Sequence, residues 1–526
     1  MSDKRRFFKH TLIFGIGGII GQVVPFLLLP LYTNYLTPDE YGLLDVIFMA
    51  SGIITTVFLV GGIQLAAMTF YKQAESEEAR RRVAITVSLL LWCAIATAIA
   101  ASIYFVDDIA RLLKIDATQI LAFGLTIILL EALIAVPMTL TQARLESLRF
   151  VLTNLAMAFS RLVLSIYFVA WLEWGIWGFL YAQAIVVIVS SIYLTYRELR
   201  IGSIYPDTTK WKDILKFSLP LVPTGILAFI YEASGRIAVL HIGPYENEAA
   251  ALGAVGLFAL ANRLMSVSQF MGVAPIRQVW MVERYDIYKK PDASYVFGNF
   301  ALRLLCVQAF AVLFISVFSV EIVRTLCAPG FHDAAPLIPL LGLYFTLLLL
   351  AMQMGGTFSI TRKTHYQMFC TAFMLPFALL FMYLLVPRWG VTGAIFAQIL
   401  AYIAYVGIIY FVTQRLFYVR YPFGKIAILS IITVFCYGLS LLCGHGIVLN
   451  TMPPEEFAEL TRWGKMVDAW NRIQWLSNFA KAGILCLWGA LVWFSGVLLQ
   501  EDKALALRVF KRGLYKLRLY LKRRGT

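Results

Sequence analysis

The stretch "YTNYLTPDEYGLLDVI", Tyr32–Ile47, decides the fold because it is short, polar and rich in turn-forming residues, yet it separates two long apolar runs. Pro38 and Gly42 are expected to punctuate a tight turn, with the two acidic residues between them facing water. A looser copy, "HIGPYENEAAALGAVGLF", occupies His241–Phe258. The recurrence predicts that each half of the chain begins with the same helical hairpin, capped on the same side of a membrane.

The composition excludes a soluble globular domain, since 60% of the 526 residues are hydrophobic and only 14% are charged. Apolar runs of about 20 residues recur from end to end, and each is long enough to cross a bilayer as a helix. The predicted fold is therefore an all-α polytopic membrane protein. Fourteen spans are predicted, at residues 11–31, 42–64, 84–105, 119–140, 151–171, 176–196, 217–241, 253–276, 298–320, 335–358, 368–387, 391–413, 426–449 and 478–499.

A second repeated element fixes how the halves correspond. "WGIWGFLYAQ" at Trp174–Gln183 matches "WGVTGAIFAQ" at Trp389–Gln398 in the pattern W-G-x-x-G-x-x-x-A-Q. Both repeated pairs place spans 1–6 over spans 7–12, and an even number of intervening spans gives the two halves the same orientation. We expect six-helix lobes at residues 1–200 and 201–420. Two extra helices follow at 421–500 and a basic amphipathic tail at 501–526.

Lysine and arginine cluster on one side of the predicted topology: at the N-terminus, after spans two, six and eight, and in the tail. This asymmetry predicts that both termini are cytoplasmic. It also assigns the net charge of +15 to anionic membrane lipids rather than to nucleic acid. The seven cysteines and five histidines show no metal-ligand spacing, and no phosphate-binding P-loop is present in the sequence. We expect no metal, no cofactor and no ATP-driven motor.

The first span and the turn after it, "FGIGGIIGQVVPFLLLPLYT" followed by "YLTPDEYGLLDV", resemble the Wzx-type polysaccharide flippases, as does the G-x-x-G-x-x-x-A-Q element. These proteins belong to the multidrug/oligosaccharidyl-lipid/polysaccharide (MOP) exporter superfamily. The resemblance implies two lobes around a central cavity and alternating access. It also implies that O-antigen, capsule or exopolysaccharide repeat units, linked to polyprenyl diphosphate, are exported across the bacterial cytoplasmic membrane. A polysaccharide polymerase complex is a further candidate partner.

Charged residues inside the predicted spans are candidates for the substrate site, because each costs about 2.5–3.5 kcal/mol at the bilayer centre unless it faces a cavity or a partner. Guanidinium groups bind a diphosphate bidentately. The predicted substrate-binding residues are Arg161, Arg236, Arg263 and Arg303. The predicted ion-coupling residues are Asp45, Glu131 and Glu232.

Several of these residues also have a structural interpretation. Glu232 and Arg236 lie four apart on one helical face and are able to pair with each other. Arg303 lies near the cytoplasmic end of its span and is able to snorkel to lipid headgroups. Asp45 lies about a turn inside its span and is able to cap a helix or to pair.

Sugars require hydrogen bonds and aromatic contacts. The amide side chains predicted to supply hydrogen bonds are Gln22, Gln64, Asn154, Gln183, Asn262, Gln353 and Gln398. The two glutamines of the repeated A-Q element have an alternative role, in hydrogen bonds between helices. Prolines at positions 25, 30, 220 and 223 predict that the first helix of each half is bent.

Four other functions remain open from the sequence. A peptidoglycan-precursor flippase would use the same headgroup chemistry, and a MATE-like (multidrug and toxic compound extrusion) antiporter would require a more acidic cavity. A membrane polysaccharide polymerase or glycosyltransferase would use Asp39 and Glu40, but the recurrence of that acidic turn as "PYENE" favours a structural role. A non-transporting scaffold is the fourth alternative.

Overall fold

The computed structural model describes residues 28–498 and Lys503, with gaps at 59, 116–117, 145, 202–204, 208–209, 220, 270–272, 274–275, 278–279, 281–283, 285–286, 362, 364 and 446–474. The described residues form helices and loops, without a β-strand. Most of the first predicted span lies outside them. So does the predicted tail at 501–526, apart from Lys503.

The first half of the chain contributes nine α-helices to the described part. They are α1 (Leu29–Tyr35), α2 (Pro38–Val57), α3 (Val60–Gln73), α4 (Glu77–Tyr104), α5 (Val106–Leu113), α6 (Thr118–Glu131), α7 (Ala135–Ala143), α8 (Ser147–Ser165) and α9 (Gly175–Ile201). A 3₁₀ turn at Ala132–Ile134 joins α6 to α7, and a π-helical segment at Ile166–Trp171 extends α8.

The second half follows the same plan, with two helices added at its end. Its helices are α10 (Trp211–Ser218), α11 (Leu221–Ile242), α12 (Glu248–Ser268), α13 (Ala293–Val317), α14 (Ser319–Leu326), α15 (Leu337–Ile360), α16 (His365–Leu416), α17 (Phe423–His445) and α18 (Trp475–Phe494). A 3₁₀ segment at Pro329–Ala334 lies between α14 and α15.

Among the described residues, eleven helices are long and apolar enough to cross a membrane. One of them, α16, contains two predicted spans separated by a kink at Gly390, and the last predicted span corresponds to the shorter apolar helix Ala480–Phe494. Each predicted span from the second to the fourteenth therefore coincides with helical structure. The prediction of an all-α polytopic membrane fold is confirmed.

Helix α2 begins earlier than the turn chemistry of its sequence predicts. Thr37 is its N-cap and forms a capping box: the Thr37 amide donates to Glu40 Oε2 (3.0 Å), and the Glu40 amide donates to Thr37 Oγ1 (3.5 Å). Pro38 occupies the first helical position, which suits its fixed φ. The interpretation of Gly42 as a turn residue was therefore wrong, because capping at Thr37 places Gly42 inside the helix.

Gly42 instead lets the two halves of the molecule touch. A Cβ atom on Gly42 would lie 1.9 Å from the carbonyl oxygen of Leu252, and one on Gly256 would lie 2.0 Å from the carbonyl oxygen of Pro38. Each glycine thus packs against the carbonyl four residues before the other, as expected for related positions around a two-fold axis. We call this contact of α2 with α12 the glycine crossing, and the end of the molecule where both helices begin the capped end.

The W-G-x-x-G repeat has the same backbone geometry in both halves. Gly175 and Gly390, the first glycines of the two copies, both have φ +53°, a left-handed conformation that favours glycine. The Val391 amide donates to the Tyr245 hydroxyl (3.0 Å), so the loop that contains the second copy of the turn closes over the kink at Gly390. In the first half, Glu40 lies next to Gly175. The two repeated elements therefore contact each other within each half.

A third repeated element is visible once the structure aligns the halves. The short helices α5 and α14 follow equivalent spans, and their sequences "DIARLL" and "EIVRTL" match. In α5 Asp108 pairs with Arg111 on the same helix, whereas in α14 Glu321 pairs with Lys481 of α18. The acidic residue of this element therefore anchors one of the two added helices to the second half.

The bend predicted from Pro223 corresponds to the end of one described helix and the start of the next, whereas Pro220 lies outside the described residues. The amphipathic helix α10 ends at Ser218, and α11 begins at Leu221. Proline removes a backbone donor and clashes with the preceding turn, which ends a helix at this position. The bend predicted from Pro25 lies outside the described residues.

Candidate substrate cavity

A cavity of about 510 Å³ lies between the two halves. Its walls come from α1, α2, α6, α8 and α9 of the first half and from α11 and α12 of the second. The lining residues are Leu28, Leu29, Tyr32, Tyr41, Leu44, Asp45, Phe48, Glu131, Arg161, Phe179, Gln183, Arg236, Ala259, Asn262, Arg263, Ser266 and Val267. Five of the seven charged residues predicted from the sequence therefore meet in one place.

The first charged group in the cavity is built entirely from the first half. Arg161 on α8 forms an ion pair with Glu131, the last residue of α6. Gln183 on α9 donates to the other carboxylate oxygen of Glu131 (2.7 Å). The Glu131 carboxylate thus joins three helices at the point where α6 gives way to a 3₁₀ turn. Gln183, a glutamine of the A-Q element, both bonds between helices and lines the cavity.

The second charged group joins the two halves. The Arg236 Nε atom on α11 donates to Asp45 Oδ2 on α2 (2.5 Å), and an Nη atom lies 3.4 Å from Oδ1. The side chains are 9% and 21% exposed, and the guanidinium also lies 5.5 Å from the centre of the Phe258 ring. The spacing of Arg236 and Glu232 allowed an ion pair between them, but Arg236 does not bind the Glu232 carboxylate. Arg236 contacts only the backbone carbonyl of Glu232 (3.1 Å), because Asp45 offers a carboxylate across the interface.

The third arginine of the cavity is Arg263 on α12, and its side chain is exposed to the open space. Within the described part of the chain it has no ion-pair partner. Asn262 and Ser266 lie beside it in the wall, and the Ser266 hydroxyl donates to the Arg263 carbonyl (2.7 Å). Three arginines and two carboxylates line the cavity, so its charged side chains leave a net positive charge that is centred on Arg263.

The other two predicted residues lie outside this cavity. Arg303 is half-buried on α13, and Glu232 is exposed on α11 one helical turn before Arg236; neither of the two lines the cavity. Among the predicted amides, Gln64 donates to Thr139 (3.1 Å) and Asn154 to the Phe150 carbonyl (3.0 Å), which gives both a structural role. The proposed roles of Arg303 and Glu232 in transport remain predictions.

Sequence reasoning missed the aromatic wall of the cavity. Tyr32 packs edge-on against Phe179 with ring centres 5.0 Å apart, and Phe48 packs against the same ring at 6.2 Å. The Tyr32 hydroxyl is 3.0 Å from that of Ser165, one helical turn after Arg161. Tyr32 and Tyr41 flank the turn sequence that first drew attention to this region. Their position beside this turn is the feature of the sequence from which the aromatic wall could have been predicted.

A family of polysaccharide biosynthesis proteins matches residues 7–281, more than half of the 526-residue chain. The chain belongs to this family. No curated protein sequence matches the chain at a significant level.

Solved structures show the same fold at low sequence identity. The lipid II flippase MurJ in an inward closed conformation aligns with a TM-score of 0.66 and 12% identity, covering 94% of this chain and 99% of that one. An inward-facing MATE family transporter of the MOP superfamily aligns with a TM-score of 0.60 and 18% identity, covering 75% and 95%. A MOP superfamily transporter from Pyrococcus furiosus Vc1 (DSM3638) aligns with a TM-score of 0.53 and 18% identity, covering 78% and 96%.

Family and fold together define the class of protein. It is a multi-pass membrane protein of polysaccharide biosynthesis with the two-lobed MOP transporter fold, as the sequence resemblance implied.

Proposed function

We propose that this protein is a flippase that moves polyprenyl-diphosphate-linked oligosaccharide repeat units from the cytoplasmic to the outer leaflet of the bacterial cytoplasmic membrane. The observation that carries the proposal is the cavity between the halves, in which arginines outnumber carboxylates and Arg263 faces open space without an ion-pair partner among the described residues. A headgroup with about two negative charges complements such a wall, because guanidinium and phosphate form strong charge-assisted hydrogen bonds.

Both ion pairs of the cavity are able to exchange a carboxylate partner for a substrate anion. Arg161 and Glu131 are 28% and 33% exposed, so both partners reach the cavity. A phosphate that binds Arg161 replaces its carboxylate partner with another anion, and Glu131 keeps the hydrogen bond that Gln183 donates (2.7 Å). Desolvation of the headgroup is offset in the same step, since a charge buried without a partner is costly.

The polar and aromatic walls suit the sugar part of the substrate. Asn262, Ser266 and Gln183 offer donors and acceptors, and Tyr32 and Phe179 offer ring surfaces. The cavity volume of about 510 Å³ lies within the usual range for small-ligand sites. This volume fits a headgroup and its nearest sugar, while the polyprenyl chain stays in the surrounding lipid.

The capped end is the outer face of the proposed topology, because the basic loops predict cytoplasmic termini. Outward movement of anionic charge runs with an inside-negative potential, and two charges release roughly 4–5 kcal/mol per 100 mV. Asp45, Glu131 and Glu232 are the proposed ion-coupling groups. Of these, Asp45 and Glu131 line the cavity, and each is paired with an arginine that would also contact the substrate.

The test is the lipid content of a strain that lacks this protein. Intact polyprenyl-diphosphate oligosaccharide is expected to accumulate on the cytoplasmic leaflet and to clear when the wild-type protein is restored. Arg263→Ala and Arg161→Ala are expected not to clear it, whereas Arg161→Lys is expected to retain partial function because it keeps the charge but not the bidentate geometry. Mass spectrometry of the accumulated lipid identifies the glycan.

Matched controls separate a cavity effect from a general effect of losing an arginine. Arg111→Ala removes an exposed arginine of a helix outside the cavity, so it is expected to behave as the wild type. Arg303→Ala removes an arginine within a span that does not line the cavity, and full activity of that variant would restrict substrate binding to the other three arginines. Repeat units already in the outer leaflet but unpolymerised would contradict the proposal and indicate a polymerase or its scaffold.

A second candidate is export of a peptidoglycan precursor, which carries the same diphosphate on a different glycan. The likeness to MurJ favours it, because that alignment covers 94% of this chain, whereas the MATE family transporter covers 75%. The same lipid extraction distinguishes the two candidates by the mass of the accumulated glycan.

A further inference from the structure

The two ion pairs of the cavity differ in what they hold together. Glu131 and Arg161 both belong to the first half, so exchange of their partners leaves the halves where they are. Asp45 and Arg236 come from opposite halves, 191 residues apart in sequence. Substrate that takes Arg236 from Asp45 therefore removes a bond between the halves.

The Asp45–Arg236 bond between the halves lies close to the glycine crossing. Asp45 follows Gly42 by three residues on α2, about 4.5 Å further along the helix axis. Gly42 belongs to the glycine crossing, where no side chain separates α2 from α12. The same segment of α2 therefore contributes Gly42 to the glycine crossing and the Asp45 carboxylate to the cavity.

We propose that Asp45 is the positioning residue that couples occupancy of the cavity to opening of the capped end. The proposal rests on the proposed function of the cavity as an anion site. Before substrate binds, Asp45 holds Arg236 and keeps α2 and α11 together. A phosphate attracted by Arg263 competes with Asp45 for Arg236, and the released α2 separates from α12 at the glycine crossing.

The Asp45–Arg236 pair, which we call the lock, is released only by anions that carry charge at two points. A single charge is satisfied by Arg263 alone and leaves the Asp45–Arg236 pair intact. A diphosphate has a second phosphoryl group to offer Arg236, so it exchanges the pair. Asp45 therefore selects substrates by their charge as well as setting the conformation.

The experiment compares Asp45→Asn with Glu131→Gln, since each releases one arginine but only the first variant breaks a bond between the halves. Spin labels at positions 73 and 292, both exposed and in different halves, report the inter-half distance in the purified full chain with its native cysteines replaced. Inorganic pyrophosphate is the probe ligand, and its Kd is measured by calorimetry with monophosphate as the comparison.

We expect pyrophosphate to shift the wild-type distance distribution and monophosphate to leave it unchanged. Asp45→Asn is expected to show the shifted distribution without ligand and to bind pyrophosphate about tenfold more tightly. Glu131→Gln is expected to tighten binding while the distance stays as in the wild type. The double variant Asp45→Asn/Arg236→Gln leaves no unpaired buried charge, so its shifted distance checks that the effect does not come from misfolding.

Two results overturn the inference and are distinguishable. Pyrophosphate binding by the wild type, together with an unchanged ligand-free distance in Asp45→Asn and in the double variant, refutes the lock and leaves the proposed function standing. Failure of the wild type and of Asp45→Asn to bind pyrophosphate refutes the anion site itself, and with it the exchange.

Discussion

The glycine crossing allows a quantitative test of how closely the halves must approach. Gly256→Ala places a Cβ atom 2.0 Å from the Pro38 carbonyl oxygen, whereas real Cβ contacts stay beyond 3.0 Å. The two helices must therefore separate by about 1 Å at this point, and they have no flexible side chain to absorb the change. Overpacking of this kind costs about 1–3 kcal/mol, which disfavours the closed capped end about 5- to 150-fold.

A disulfide across the same seam measures the effect. The Cβ position of Gly253 lies 3.9 Å from Cβ of Pro38, within the range of a disulfide. On a background free of the native cysteines, Pro38→Cys/Gly253→Cys is expected to crosslink rapidly and to stop transport until reductant is added. Addition of Gly256→Ala is expected to slow crosslinking, because the closed state becomes rarer.

Gly407→Ala is the matched control, since a Cβ atom there meets nothing within 4 Å in a helix of the same half. It is expected to leave crosslinking unchanged. Equal crosslinking rates with and without Gly256→Ala would refute the reasoning, because they would show that the seam tolerates a methyl group without separating. Transport that continues through the crosslinked protein would refute the assignment of the capped end as a moving gate.

Three other predictions concern stability, measured by thermal unfolding. Lys481→Met is expected to destabilise the protein by about 1–3 kcal/mol by leaving the partly buried Glu321 carboxylate without its partner, and Lys481→Met/Glu321→Met is expected to recover most of the loss. Arg144→Gln is expected to cost about 1–3 kcal/mol, because its bidentate partner Glu198 is 3% exposed and keeps only the longer contact with Arg197 at 3.7 Å. Burial lowers the pKa of His332, so the neutral form is favoured in the folded state and stability is lost as the pH falls below the ordinary histidine value. His332→Asn is expected to remove that acid sensitivity, and an unchanged pH profile would contradict it.

The membrane spans were predictable from the sequence because they follow from composition alone. A helix in lipid is set by apolar length, and all thirteen predicted spans after the first begin within seven residues of the start of a described helix or of the kink in α16. The repeat was also recognisable in the sequence. Gly175 and Gly390 both have a left-handed backbone conformation that residues with a side chain rarely adopt, so glycine occurs at this position in both halves. The beginning of α2 was misplaced because Pro and Gly indicate turns as well as helix starts.

The residue types of the site were predictable and most of its partners were not. Arg161, Arg236 and Arg263 attract attention in any apolar span, because charge is costly there. Their partners were hidden, since Glu131 and Asp45 are 30 and 191 residues away in the chain. The local pairing of Arg236 with Glu232 was the only one that helical spacing offered, and the structure prefers the distant carboxylate.

The sequence by itself determined the class of fold, the two-fold repeat and the presence of excess arginine inside the membrane. These are one-dimensional properties, because hydropathy, glycine spacing and charge in apolar runs are read along a single helix. Only the tertiary structure decided that three of the four arginines share one cavity, that Arg303 lies elsewhere, and that Asp45 bonds across the halves. Ion pairs form between groups that packing brings together, and packing of α2 against α11 and α12 depends on contacts between helices that no local pattern records.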